Sequence, residues 1–172
     1  FGARSLSGRA SLHLDNTSGA TKLTLDTEDL EIRGVSFDDG APARFNLGKG
    51  TPALGQPLVV DLAPGVQVVH VDYSTSPSAR ALQWLEPQQT AGGNNPFLFT
   101  QSQPILARTW IPCQDTPQVR MTYEATIKVP SQLLAVMSAE NPTEKSSDGV
   151  YHFRMDQPIP SYLLALAVGD LA

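Results

Sequence analysis

Two glutamines separated by one serine, Gln101-Ser102-Gln103, stand in the part of the chain richest in polar chemistry. In an extended segment residues i and i+2 share a face, so both amides point the same way, each offering a carbonyl acceptor and an NH2 donor. Such a pair suits a peptide backbone or a terminal amine. It equally suits a polar strand edge whose amides meet water or main chain. Around it, residues 94–117 gather aromatics, amides and prolines, and Arg108 and Asp115 are placed to form an ion pair that fixes a turn. His13, His70 and His152 occur singly, each flanked by apolar residues, as strand alternation produces on a wet face. Convergence of two of them on a metal is the competing reading, but no H-E-x-x-H or other short ligand spacing occurs. Cys113, the one cysteine, is expected to be buried packing. A thiol–histidine nucleophile is the alternative, and only Arg108 stands near enough in sequence to lower the thiol pKa. There is no G-x-S-x-G elbow, phosphate loop or dinucleotide fingerprint, so no residue is assigned a catalytic or metal-binding role. Asn16-Thr17-Ser18 matches the glycosylation triplet, which carries weight only for a secreted protein.

The elements that must position these residues are strands. With 172 residues, the chain suits a single domain spanning 1–172. Hydrophobic residues make up 41%, enough for a core, while charged residues at 17% are too few for long charged helices. The 13 glycines and 14 prolines are spread along the whole length, which favours many short strands joined by turns. The fold class read from composition is all-β. Twelve Lys and Arg against 17 Asp and Glu leave a charge of −5 with no basic run, arguing against a nucleic-acid partner or a basic membrane stripe. No apolar stretch reaches the roughly 18 residues of a membrane helix. One cysteine forms no intrachain disulfide, and the opening residues show no apolar signal core, so a cytoplasmic location is the expectation.

From residue 118 to 129 every odd position is apolar and every even position polar, bracketed by Pro117 and Pro130, which predicts a strand with one wet face. Shorter alternations over residues 10–14, 23–25, 66–73 and 151–155 predict further strands of an antiparallel sandwich or curved sheet. Residues 30–37 alternate until Gly34, where a bulge or tight bend is expected, and Asp38-Asp39-Gly40 is a hairpin turn signal. Residues 162–168 are apolar throughout, which predicts one strand covered on both sides, in part by something outside this chain. No helix of ten or more residues is expected. Residues 86–96, with Pro87, Gly92, Gly93, Asn94 and Asn95, form the longest stretch without a strand pattern, long enough for a functional or mobile loop.

One ordered set of motifs resembles a family. Phe97-Leu98-Phe99-Thr100-Gln101-Ser102-Gln103, then Arg108-Thr109-Trp110-Ile111-Pro112-Cys113-Gln114-Asp115-Thr116-Pro117, resembles the N-terminal domain of the M1 family zinc aminopeptidases, in the leukotriene A(4) hydrolase and aminopeptidase B branch. Ala81-Leu82-Gln83-Trp84-Leu85, Val136-Met137-Ser138-Ala139 and the run from Pro158 to Gly169 extend the resemblance over nearly the whole chain, more weakly before Leu23. The resemblance implies a saddle-shaped, mostly antiparallel β domain that packs on a catalytic zinc domain expected after residue 172. It implies zinc in the parent enzyme, bound outside this chain, since neither H-E-x-x-H nor G-x-M-E-N occurs here. This chain alone is then expected to be inactive, within a parent that removes N-terminal residues from peptides.

The resemblance also implies that Gln101, Ser102 and Gln103 bind substrate: in that branch a Gln-x-Gln stretch contacts the peptide's N-terminal end. Many other M1 members carry a glutamate where Gln103 stands, so the amide softens the attraction for the amine. Two other readings compete. One is a stand-alone β-sandwich module binding carbohydrate or protein on Trp84 or Trp110. The other is a docking domain whose face at residues 163–168 meets another chain.

Overall fold

The computed structural model describes residues 1–171. Their regular structure consists of strands and three single-turn 3-10 segments, and every strand pairing is antiparallel, as the scattered turn residues require. No helix of the described residues is long and apolar enough to cross a membrane. Contacts divide the described residues into two compact units, one of residues 3–79 with 108–115, the other of residues 1–2, 80–107 and 116–171.

The first unit holds β1 (Ser7–His13), β2 (Lys22–Thr27), β3 (Glu31–Phe37), β4 (Phe45–Leu47), β5 (Gln56–Asp61) and β6 (Val68–Ser74). They form two three-stranded sheets, ordered β1-β6-β3 and β2-β5-β4. Alternation sends Leu25, Val35, Leu58, Val60, Val69 and Val71 inward, and with Ala43 they make one buried cluster contributed by both sheets. Burying each of these larger aliphatic side chains contributes about 1.5–3 kcal/mol. The outward positions are polar, as in the two-bonded pair of Arg9 with Asp72 (2.8 Å each), which holds the Asp72 carboxyl below its ordinary pKa. The pairing of β3 with β6 slips between Ile32 and Gly34, the expected bulge. Asp38-Asp39-Gly40 is the expected turn: Gly40, at φ +81°, donates its N–H to the Phe37 carbonyl at 3.0 Å.

The segment 108–115 is fastened to the end of β2. The Asp26 N–H donates to the Cys113 carbonyl at 2.7 Å, and the Glu28 N–H to the Arg108 carbonyl at 3.0 Å. Arg108 Nε lies 3.0 Å from Asp115 Oδ2, with both side chains almost fully buried (4% and 1% exposed), so the expected ion pair is an internal one. The rest of the guanidinium is satisfied by the Asp115 carbonyl (3.0 Å) and the Leu54 carbonyl (2.8 Å).

The second unit holds β7 (Leu82–Leu85), β8 (Phe97–Thr100), β9 (Arg120–Lys128), β10 (Leu134–Met137), β11 (Val150–Pro160) and β12 (Leu166–Gly169). Four of them form a sheet ordered β10-β12-β8-β7, and β9 pairs with β11. The strand read from residues 118–129 is β9, with Met121, Tyr123, Ala125 and Ile127 half-buried between exposed neighbours. β11 runs past the 151–155 pattern, because after an irregularity beyond Met155 it rejoins β9 at Ile159 opposite Met121.

The expectation of one strand over residues 162–168 is corrected. A 3-10 turn occupies Ser161–Leu163, closed by the Leu164 N–H on the Ser161 carbonyl (3.0 Å), and β12 begins only at Leu166. Within this chain only one face is covered: Leu164, Leu166 and Val168 are buried while Leu163 and Ala165 are exposed. An unbroken apolar run shows neither period, so it could not reveal the turn. The strands β4, β5, β7, β8 and β10 carry no alternation long enough to read; Leu58-Val59-Val60 in β5, for example, is simply apolar.

Candidate functional site

Gln101, Ser102 and Gln103 leave the end of β8 as its continuation. The Gln101 N–H donates to the Ala81 carbonyl at 2.9 Å, which keeps the chain extended one step beyond the strand. Side chains therefore keep alternating: Gln101 and Gln103 are exposed and Ser102, between them, is 3% exposed. The Ser102 hydroxyl donates to the Leu164 carbonyl at 3.0 Å, and the Ser102 carbonyl accepts the Leu106 N–H at 2.8 Å as the chain turns. The Gln103–Pro104 peptide bond is cis. The two amides are not equivalent, as a simple extended pair would be. Gln101 Oε1 accepts the Gln103 N–H at 3.0 Å, leaving the Gln101 NH2 facing outward while tying its carbonyl to the loop. One neutral donor and one complete amide thus stand side by side on the surface.

Beside them lies an apolar sheet face. Register places Val136, Ala167, Phe99 and Gln83 in one row across β10, β12, β8 and β7. Phe99 is exposed and stacks on Phe97 at 5.7 Å between ring centroids, and the exposed Leu163 and Ala165 precede β12. This is the uncovered side of the 162–168 run.

The other candidates separate cleanly. His13 and His152 are exposed and His70 half-buried, the wet-face histidines of the strand reading. His13 and His70 share a face of the β1-β6 pair, diagonal to one another, but His70 Nδ1 is bonded to Ser11 Oγ at 2.8 Å. His152, in the other unit, bonds Thr126 Oγ1 at 3.0 Å. No three His, Cys, Asp or Glu side chains gather in one place among the described residues. Cys113 is buried, and burial first, with the Asp115 and Asp26 carboxylates adding, pushes its thiol pKa far above the ordinary value. Its side chain is packed in the interior, as expected of a lone cysteine. Trp110 is buried, which removes it as a binding platform, and the indole of Trp84 meets the Phe1 ring edge-on at 5.4 Å. Asn16 uses its side chain to hold its own loop, bonding both the N–H and the carbonyl of Ala20.

The 86–96 loop is internally organised. Gln89 Oε1 caps the Glu86 N–H at 2.9 Å around a 3-10 turn, and Thr90 Oγ1 lies within 3.0 Å of both the Pro87 and Asn95 carbonyls. Two features escaped sequence reasoning. One is an open groove of about 700 Å³ on the β9-β11 pair, lined among others by Glu124, Thr126, Glu140, Asn141, His152 and Arg154. The other is the set of residues that hold the glutamine loop, Thr100, Ser138 and the Leu164 carbonyl. The only local trace of the latter was a pair of hydroxyls, Thr100 and Ser102, two residues apart.

The peptidase M1 N-terminal domain family matches residues 1–163. Leukotriene A-4 hydrolase of Xenopus laevis is 43% identical over 183 residues, covering 99% of this chain and 30% of that protein. Aminopeptidase B of Mus musculus is 41% identical over 187 residues, covering 99% of this chain and 28% of that protein. Among solved structures, native leukotriene A4 hydrolase from Saccharomyces cerevisiae superposes with a TM-score of 0.86 at 33% identity, over 98% of this chain and 27% of that one. The chain thus spans less than a third of the length of these relatives. Matched along nearly its whole length in both sequence and strand arrangement, the chain belongs to the peptidase M1 N-terminal domain family.

Proposed function

We propose that this chain is the N-terminal domain of a zinc-dependent aminopeptidase, a hydrolase that removes N-terminal residues from peptides, and that it walls one side of the substrate cleft. Gln101 and Gln103 contact the N-terminal end of the peptide. The observation that carries this reading is their exposure on either side of a buried, anchored Ser102, which aims both amides outward from one loop. An amide carbonyl accepts from an ammonium group without burying an ion pair, and an amide NH2 holds a peptide carbonyl. Gln103 keeps its acceptor for the amine, while Gln101 offers chiefly its NH2. The apolar row of Val136, Ala167 and Phe99 receives the rest of the polypeptide, in which we place the zinc and the catalytic groups. No chemical step is assigned to the residues of this chain. A reducing, cytoplasmic setting is the one that a lone, buried thiol supports.

The test is Gln103→Ala in the full-length, zinc-loaded enzyme. A hydrogen bond to a charged group contributes about 1.5–3 kcal/mol, so KM for a tripeptide with a free N-terminus rises roughly ten- to a hundredfold. Because the contact exists before and during reaction, kcat and zinc content stay as they are. An unchanged KM would remove Gln103 from the site.

A further inference from the structure

Backbone pairing of β8 with β12 spans only Leu98 with Val168 and Phe99 with Ala167. Past its end the two chains stay joined, but through hydroxyls. The Leu166 N–H donates to Thr100 Oγ1 at 3.0 Å, and Ser102 Oγ donates to the Leu164 carbonyl at 3.0 Å. The same stretch is held from its other side. The Ser138 N–H donates to the Ala165 carbonyl at 3.1 Å, and the Ala165 N–H to Ser138 Oγ at 3.0 Å. The Tyr123 hydroxyl, 2.9 Å from the Ser138 carbonyl and 3.0 Å from its Oγ, fixes that serine in turn. Residues 164–166 are thereby a rail held from both sides, and Thr100 and Ser102 attach the glutamine loop to it.

Alternation links this attachment to direction. Thr100 and Ser102 bond to the rail, while Gln101 and Gln103, on either side of the buried Ser102, are exposed. A loop free to rotate about Ser102 would have to be ordered by the peptide at each binding event, and that ordering is subtracted from affinity. We propose that Ser102 is a positioning residue: through its bond to the Leu164 carbonyl it pre-aims Gln101 and Gln103 at the peptide N-terminus without touching substrate itself. This rests on the reading of the two glutamines given above.

The experiment is a variant cycle in the full-length, zinc-loaded enzyme with a tripeptide bearing a free N-terminus. Ser102→Ala keeps the volume of the buried site nearly unchanged and removes the donor. Loss of one buried hydrogen bond predicts a KM about fivefold higher, with kcat unchanged. Ser102→Cys, a small side chain with a weak donor, falls between the two. A merely structural role would act differently, lowering Tm and apparent kcat through an unfolded fraction while leaving KM of the folded enzyme alone. In a Gln101→Ala/Gln103→Ala background the Ser102 effect on KM should vanish, since there is nothing left to aim. An unchanged KM for Ser102→Ala, or an equal rise in both backgrounds, would overturn the proposal while leaving the glutamine contacts standing. If instead Gln101→Ala/Gln103→Ala with Ser102 intact leaves KM unchanged, the site reading itself fails, and the positioning role with it. Should Ser102→Ala not fold, the comparison of Ser102→Cys in the two backgrounds decides the matter by the same criteria.

Discussion

Replacing Asp115 with alanine isolates the cost of stranding a buried charge in the first unit. The carboxylate Oδ2 accepts from Arg108 Nε at 3.0 Å and from the Arg108 N–H at 3.2 Å, and both side chains are almost entirely out of solvent. Removing one partner of such a pair costs about 3–5 kcal/mol, because the remaining ion keeps its desolvation penalty and loses its compensation. Asp26 moderates the loss. Its Oδ1 lies 3.5 Å from Arg108 Nη1, but its side chain is 38% exposed, so solvent screens much of that attraction. A loss of about 3 kcal/mol, the lower end of the range, is therefore expected. With a urea dependence of about 2 kcal/mol per molar, the unfolding midpoint falls by about 1.5 M. The assay is urea denaturation followed by fluorescence in a Trp84→Phe background, where Trp110, buried in the same 108–115 segment, reports alone. Urea is chosen because guanidinium would screen the pair. Asp26→Ala is the comparator: it removes an acceptor of the Asp115 N–H (2.9 Å) and a distant charge, for about 1 kcal/mol. A midpoint shift below about 0.5 M for Asp115→Ala, or equal losses for the two variants, would refute the claim that the uncompensated guanidinium sets the cost.

Two further outcomes follow from close contacts and burial. Gly149, at φ +71°, leads into β11, and a Cβ there would stand 2.0 Å from the Val129 carbonyl oxygen, a backbone atom with nowhere to move. Gly149→Ala should cost about 3 kcal/mol or more, and a thermal melt within about 1 kcal/mol of the parent would contradict it. Cys113, buried with its pKa pushed upward, should resist an aromatic disulfide reagent at mildly alkaline pH and react stoichiometrically once denatured. Rapid labelling of the native chain would show that the 108–115 segment opens easily.

Where a residue's role depended on its immediate neighbours, the chain could be read directly. β9 was visible because nine consecutive residues alternate between proline brackets, and the bulge at Gly34 and the turn at Gly40 because glycine marks the backbone conformation itself. The glutamine pair was visible for the same reason: alternation puts residues two apart on one face, and the exposed–buried–exposed pattern at 101–103 obeys it. β5 and β12 were harder, since an apolar run has no period until a second layer covers one side of it.

The sequence by itself determined the all-β class, the spacing of turns and the wet-face histidines, and its resemblance to a family singled out Gln101, Ser102 and Gln103 as candidates. Only the tertiary structure decided that Ser102 turns inward to a carbonyl 62 residues away, that Gln101 spends its own carbonyl on the Gln103 N–H, and that Arg108 and Asp115 close on one another inside the protein. The reason is that alternation and turn propensity act over a few residues and leave a trace in local order. A hydrogen bond between distant residues is chosen by packing, which depends on the whole chain at once.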